Sequence, residues 1–189
     1  NPIAMILVDN HAKIKAIQHI NIVRHTLFDD SKFPNNGLLP VLVYVQALEL
    51  PPLGAGLIVE EIFESNGWTN SWQDGIYSYH HYHSTAHEVL GIFQGSARIQ
   101  FGGPGGVALL LEKGDVVIIP AGVAHKSIDV YDNFLCIGAY PKGQEYDMNY
   151  GHDQEREKAI NNIRKLPMPV LDPVYGESGP LLSNWKHIQ

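Results

Sequence analysis

The sequence predicts an all-β fold, a sandwich or barrel, and two observations carry that prediction. From Ile76 to Tyr140, short β-like runs alternate with glycine or proline breakers. The runs cover about 76–83, 88–94, 96–101, 107–111, 115–119, 127–130 and 134–140. The breakers are Gly95, the loop from Gly102 to Gly106, Lys113-Gly114 and Pro120-Ala121-Gly122. Closely spaced short strands with turn signals between them are the pattern of an antiparallel sandwich or barrel. The second observation is composition. The chain has 189 residues, 44% hydrophobic and 17% charged, which suits one packed domain and argues against disorder.

Elements flank this core on both sides. Residues 21–28 alternate well enough for a strand, and Phe33-Pro34-Asn35-Asn36-Gly37 is a turn cluster. Val41-Leu42-Val43-Tyr44-Val45 is β-branched and aromatic, which suits a buried strand that Pro51-Pro52 then stops. Leu57, Ile58, Ile62 and Phe63 recur at helical spacing, so residues 54–65 read as a short helix ended by Asn66-Gly67. Beyond Pro141 the chain turns polar. Residues 153–165 read as an amphipathic helix, and the proline-rich tail 166–189 as an extended arm lying on the barrel or on a neighbouring subunit. The whole chain, 1–189, reads as a single domain, with the barrel core at about 40–140 and the helix and arm in 141–189.

Charge and cysteine content narrow the function classes. The net charge is -7 with no basic block, so neither nucleic acid nor an anionic membrane is an expected partner. The single cysteine, Cys136, rules out an intramolecular disulfide and a cysteine-based zinc knuckle, and a cytoplasmic location is the default. Cys136 sits in an apolar run and reads as inert core. The apolar run at residues 3–8 is short and lacks a basic flank, which makes a poor signal peptide. Gly102–Gly106 lacks a following Lys-Ser/Thr and reads as a hairpin turn rather than a phosphate loop.

The chemistry is concentrated in histidine. There are ten, and His80, His81, His83 and His87 fall within eight residues. Residues two apart on a strand share a face, so His81 and His83 project together and can share one cation. Glu88 follows after Ser84-Thr85-Ala86, a segment able to turn the chain back toward that face. His125 stands just after the strand-like run 115–119 and the Pro120-Ala121-Gly122 turn. Three imidazoles and a carboxylate suit one divalent transition metal: Fe for preference, with Mn, Ni, Cu or Zn as alternatives. By the same alternation Tyr77 and Tyr79 face inward and can hydrogen-bond a substrate or simply fill the barrel. Arg98 could clamp a carboxylate substrate or form an ordinary ion pair. His80 reads as an outward-facing residue.

The spacing of these residues resembles the two motifs of the cupins. Gly75, five residues, His81-Tyr82-His83, four residues, Glu88, six residues and Gly95 match the first; Gly114, five residues, Pro120-Ala121-Gly122, two residues and His125 match the second. The family pattern expects Asn three residues further on, where this chain has Asp129. Asn66-Gly67-Trp68, Gly102-Gly103-Pro104, Gly138-Ala139-Tyr140-Pro141 and Asp172-Pro173-Val174-Tyr175-Gly176 are similar to the small single-domain YjlB-like branch. The resemblance implies a double-stranded β-helix, or jelly-roll, barrel with short helices at its flanks. It implies a metal on His81, His83, Glu88 and His125, and it names no substrate. Its spacing also favours Glu88 over His87 as the ligand, which leaves His87 pointing away or behind the ligands.

A metal-dependent enzyme acting on a small organic molecule is the resulting expectation, with dioxygenation the preferred reaction because this ligand set suits Fe(II) and leaves sites open. A divalent metal with one carboxylate carries about one net positive charge, which favours an anionic or enolic substrate. The alternatives are a non-redox isomerase, lyase or hydrolase and a non-catalytic small-molecule binder. A homodimer is expected, with the strand near 41–45 and the C-terminal arm against the second subunit.

Overall fold

The computed structural model describes residues 10–18 and 21–186, so the apolar run at residues 3–8 lies outside the described residues. Short helix α1 (Asn10–Ala16) precedes strands β1 (Asn21–Leu27) and β2 (Asn36–Val45). Helix α2 (Ala55–Ser65) leads to β3 (Trp68–Asp74), β4 (Glu88–Phe101), β5 (Val107–Glu112), β6 (Val116–Ile119) and β7 (His125–Pro141). Helices α3 (Asp153–Lys165) and α4 (Pro180–Asn184) follow. The strands pair antiparallel in the order β1-β2-β6-β4-β7-β3, and β5 pairs with the far half of β4. This is the jelly-roll arrangement anticipated from the sequence.

Two long strands take the place of four short ones. Runs 88–94 and 96–101 join as β4, and 127–130 and 134–140 join as β7. The two strands bend together at one corner. Gly95 has φ 63°, and a Cβ there would meet the Tyr131 carbonyl oxygen at 2.4 Å. Opposite it, Asp132 and Asn133 also take positive φ. The pairing register shifts on both sides of Gly95. Each shift changes which face a side chain meets.

The middle of the sheet is buried on both sides, which is why β2 and β6 read as unbroken apolar runs. Val41 and Val43, with Val117 and Ile119, pack inside the barrel beside Leu90, Ile92 and Cys136. Leu42 and Tyr44, with Val116 and Ile118, point outward and are covered by α2 and the C-terminal arm. Helix α2 contributes Ile58, Val59, Ile62 and Phe63. Leu57, placed on the apolar stripe by sequence, faces solvent instead, and Val59 takes its place. The helix comes this close because Gly91 lacks a side chain: a Cβ there would meet Val59 Cγ1 at 2.5 Å.

The C-terminal arm lies on its own barrel. Asp172 is fully buried and accepts from Tyr44 Oη at 2.5 Å and from the amides of Val174, Tyr175 and Leu181 at 2.8–3.0 Å. Burial and the Asp172 carboxylate push the Tyr44 phenol far above its ordinary pKa, so it stays a donor. Trp68 Nε1 donates to Leu171 O, and Trp185 Nε1 to Pro40 O. The strand near 41–45 is paired on both sides within the chain, and the arm takes the first of its two expected places, on its own barrel.

The strand expected over 76–83 is absent. That segment is irregular, held by single bridges at His81 and Tyr82. Conversely, β3 was not anticipated, since Trp68-Thr69-Asn70-Ser71-Trp72-Gln73-Asp74 shows no clean alternation.

Two substitutions test this packing. Asp172→Ala leaves four buried donors without their acceptor and should cost about 3 kcal/mol in urea unfolding, with Asp172→Asn milder because one oxygen remains. Gly91→Ala should cost about 1–3 kcal/mol through overpacking against α2. An unchanged unfolding midpoint for either would contradict the packing it tests.

Candidate metal centre

Parity within the doubly buried sheet decides which side chains reach the barrel interior. On β4, Leu90 and Ile92 point inward, and Glu88 shares their face. On β7, Cys136 points inward, with Gly138 and Tyr140 on the same side. His125 begins β7, and His81 lies directly opposite it in a two-way bridge: His81 N–H donates to His125 O at 3.2 Å and His125 N–H to His81 O at 2.9 Å. Their rings are 4.2 Å apart. His83 follows on the same face, and its carbonyl accepts from Gly122 N–H at 2.8 Å.

All three imidazoles are oriented from behind. Each Nδ1 faces a backbone carbonyl: Tyr79 O for His81 at 3.2 Å, Asp147 O for His83 at 2.5 Å, and Val123 O for His125 at 3.1 Å. Carbonyls only accept, so Nδ1 carries the proton and Nε2 keeps its lone pair. One ligand atom from each ring lies within 4.8 Å of the other two. Glu88 stands beside this trio, with Oε2 at 3.2 Å from His125 Nε2 and 3.4 Å from His83 Nε2. Neither contact has hydrogen-bond geometry, and Oε2 is buried without a hydrogen-bond partner. Buried polar atoms are seldom left so. Three inward nitrogen lone pairs beside an orphaned carboxylate oxygen fit a divalent transition metal.

The electrostatics agree. Burial lowers the His81 pKa to about 3, helped by the neighbouring His125, so His81 is neutral and free to ligate. Burial alone would raise Glu88, but the His83 and His125 imidazoles more than reverse that, and it lies well below the carboxylate range. Burial alone would lower His83, but the Glu88 carboxylate outweighs it, and its pKa is raised. The Glu88 carboxylate thus favours protonation of His83 wherever no metal competes for its Nε2.

Further residues hold the ligands in place. Tyr140 Oη donates to Glu88 Oε1 at 3.1 Å and accepts from Trp72 Nε1 at 2.8 Å. Trp72 lies over Gly138, where any Cβ would sit 2.1 Å from the indole. Asp147 anchors the ligand loop: its carboxylate accepts from the amides of Ser84 and Thr85 and from Ser84 Oγ. Those bonds, with one from Asn149, outweigh its burial and lower its pKa. Helix α3 backs the same loop, with Asn162 Nδ2 donating to Ser84 Oγ at 2.9 Å. None of Trp72, Tyr140 and Asp147 was anticipated as a site residue. They come from an unrecognised strand, from the end of the barrel, and from a polar segment after it.

The remaining sequence candidates separate. His87 points to the outer side, its ring 4.9 Å from that of Trp185, and its Nδ1 accepts from Ala121 N–H at 3.0 Å. Burial lowers its pKa to about 3 and keeps it neutral. His80, expected to face outward, is only half-buried and packs its ring against Phe33. Tyr77 lines the mouth of the cavity but is 54% exposed, and Tyr79 stacks on its outer side. Both were expected inside the barrel on a strand that does not form, and they rim it instead. Of the two readings of Arg98, the ordinary ion pair is the one that forms, and the substrate clamp is not. The inner face of that half of β4 belongs to Ala97, Ile99 and Phe101, so Arg98 points out and pairs with Asp129 at 3.8 Å.

The centre opens into a cavity of about 270 Å³. Its walls include Trp72, Tyr77, Tyr140, Tyr146 and Met148, with Asp74 at one side.

Comparison with known proteins agrees with this geometry. A family described as Cupin matches residues 72–138. The "Uncharacterized protein YjlB" of Bacillus subtilis (strain 168) is 44% identical over 157 residues, 83% of this chain and 92% of that protein. Among solved structures, procruciferin, an 11S globulin from Brassica napus, superposes with TM-score 0.36 at 14% identity, covering 69% of this chain and 28% of its own. Acireductone dioxygenase from Bacillus anthracis, with a cadmium ion in its active centre, gives TM-score 0.37 at 18% identity, covering 49% and 62%. The chain thus spans less than two thirds of either structure's own chain, and likenesses so distant say nothing of its reaction. No helix among the described residues is long and apolar enough to cross a membrane. With both motifs in place around one barrel and a relative aligned over most of both lengths, the chain belongs to the cupins, in the branch that holds YjlB.

Proposed function

We propose that this metal-binding cupin is a metal-dependent enzyme of dioxygenase type acting on a small, anionic organic substrate. The observation that carries the reading is the convergence of three neutral-capable imidazoles on a buried, unpartnered carboxylate oxygen at the base of an open cavity. His81, His83, His125 and Glu88 would hold the metal, iron for preference. When bound, the metal supplies a Lewis-acidic centre with open positions for oxygen and substrate. The chain's own residues do the rest. The Nδ1 bonds fix the ring orientations, Tyr140 holds Glu88, and the apolar walls thin out the water around the substrate. A cytoplasmic homodimer completes the reading, supported by the lone buried cysteine and by the commonness of two-fold assembly.

Elemental analysis of protein purified without added metal is the first test, followed by anaerobic reconstitution with Fe(II) and measurement of oxygen uptake. Substrate-dependent uptake is expected from some member of a panel of organic acids and phenols. Full metal loading without any uptake would overturn the oxidative reading, and full turnover on redox-inert zinc would replace it with Lewis-acid chemistry.

Metal affinity should also depend on pH with a definite sign. The metal-free protein holds a proton on His83 below that group's raised pKa, and the metal-bound protein does not. Acid therefore favours the metal-free form. Below the His83 pKa, affinity should fall by about tenfold per pH unit for one displaced proton. Competition against a chelator at pH 6, 7 and 8 measures this, and a flat profile would contradict the proton balance.

A further inference from the structure

We propose that this centre takes a single-ring aromatic compound carrying one anionic oxygen-donor head and no second charged group. The inference rests on the reading that a metal fills the imidazole cluster, and it concerns what the surrounding walls select.

Two stacked tyrosine pairs flank the imidazoles. Tyr140 and Tyr146 stack at 4.6 Å and 22°, and Tyr146 stands 5.2 Å from His83, edge to face. Tyr77 and Tyr79 stack at 4.9 Å and 16°, and Tyr77 stands 5.2 Å from His81, also edge to face. A ligand reaching the imidazoles therefore passes tyrosine rings beside two of the three. Tyr77 and Tyr146 are each roughly half exposed, so their faces are offered to a ligand rather than spent in the core. Their stacking partners hold them in place, which lowers the ordering cost of binding a flat ring against either one.

Charge sets the second limit. Among the described residues, no lysine or arginine lines the cavity, while Asp74 and Glu88 do. The metal is the only positive charge available, and it answers one anionic head. A second carboxylate on the ligand would find no cation and would meet the like charge of Asp74 at the exposed side of the cavity. Arg98, the one residue able to answer it by sequence, lies on the outer face with Asp129. Size sets the third limit. An apolar cavity of about 150 Å³ accommodates benzene, so about 270 Å³ takes one ring with its polar substituents. The combination points to phenols, catechols and aryl monoacids, and away from dicarboxylates and sugars.

Hydroxamates that share one metal-binding head isolate the effect of the walls. The full chain is loaded with zinc, its zinc content is measured, and acetohydroxamate, cyclohexanecarbohydroxamate and benzohydroxamate are titrated in by calorimetry. Benzohydroxamate should bind tightest, at least about tenfold tighter than the cyclohexane compound. 4-Carboxybenzohydroxamate should bind about tenfold more weakly than benzohydroxamate. In Tyr146→Leu and Tyr77→Leu, with zinc content unchanged, the advantage of the flat ring should shrink to less than about threefold. A protein that takes up no zinc overturns the proposed function and this inference with it. Zinc bound, but with the cyclohexane or carboxylated compound binding as well as benzohydroxamate, overturns this inference alone.

Discussion

Burial of the central sheet on both faces is the constraint on which the rest of the molecule depends. The Val41–Tyr44 half of β2, β6 and the near half of β4 have no solvent side, so each position there is committed either to the barrel interior or to the layer under α2 and the arm. A slip of one residue would exchange the two sets entirely. The ligands inherit this discipline. Glu88 is inside because Leu90 and Ile92 are inside, and His87 is outside because Val89 and Phe93 are outside. Adjacent histidine and glutamate thereby receive opposite roles, one packed under Trp185 and the other facing the imidazoles.

Covering the outer layer is the task of segments beyond the barrel, and these also finish the site. The arm is clasped at Asp172, whose buried side chain is satisfied by four donors. The stretch between β7 and α3 crosses the barrel mouth. There Asp147 pins the loop that carries His83, and Tyr146 and Met148 add to the cavity wall. A barrel cut after Pro141 would keep all four expected ligands and lose the carbonyl that orients His83.

Much of this was legible in the sequence, and the parts that were not have physical reasons. Spacing found His81, His83, Glu88 and His125 because a jelly roll brings two fixed motifs together at one depth. Helices over 54–65 and 153–165 were readable from their apolar period, and the observed bounds agree to within a residue. The strand over 76–83 was misread because Ile76, Tyr77 and Tyr79 look β-prone, while the segment is held by isolated bridges from His81 to His125 and from Tyr82 to Asn149 rather than by a ladder. Local alternation with Ala97, Ile99 and Phe101 sets Arg98 outward, whereas counting from Glu88 would set it inward, because the bend at Gly95 shifts the register between them. Trp72 was hidden in a polar edge strand, where a register shift between Thr69 and Trp72 breaks the alternation. Asp147 was hidden because it lies in an irregular polar segment beyond β7, more than sixty residues from the loop it holds, where no local spacing links the two.

The chain of contacts from Trp72 through Tyr140 to Glu88 has a built-in direction. An indole nitrogen can only donate, so the Tyr140 oxygen must accept from it. The phenolic proton is then left with one place to go, toward Glu88 Oε1. The arrangement is a one-way series that terminates at a group unable to take up a proton, so it cannot conduct one to solvent. One carboxylate oxygen is thereby held by the phenol, and the other faces the imidazole side. Any proton that Glu88 gains or loses must travel through the cavity, by the same route as the substrate.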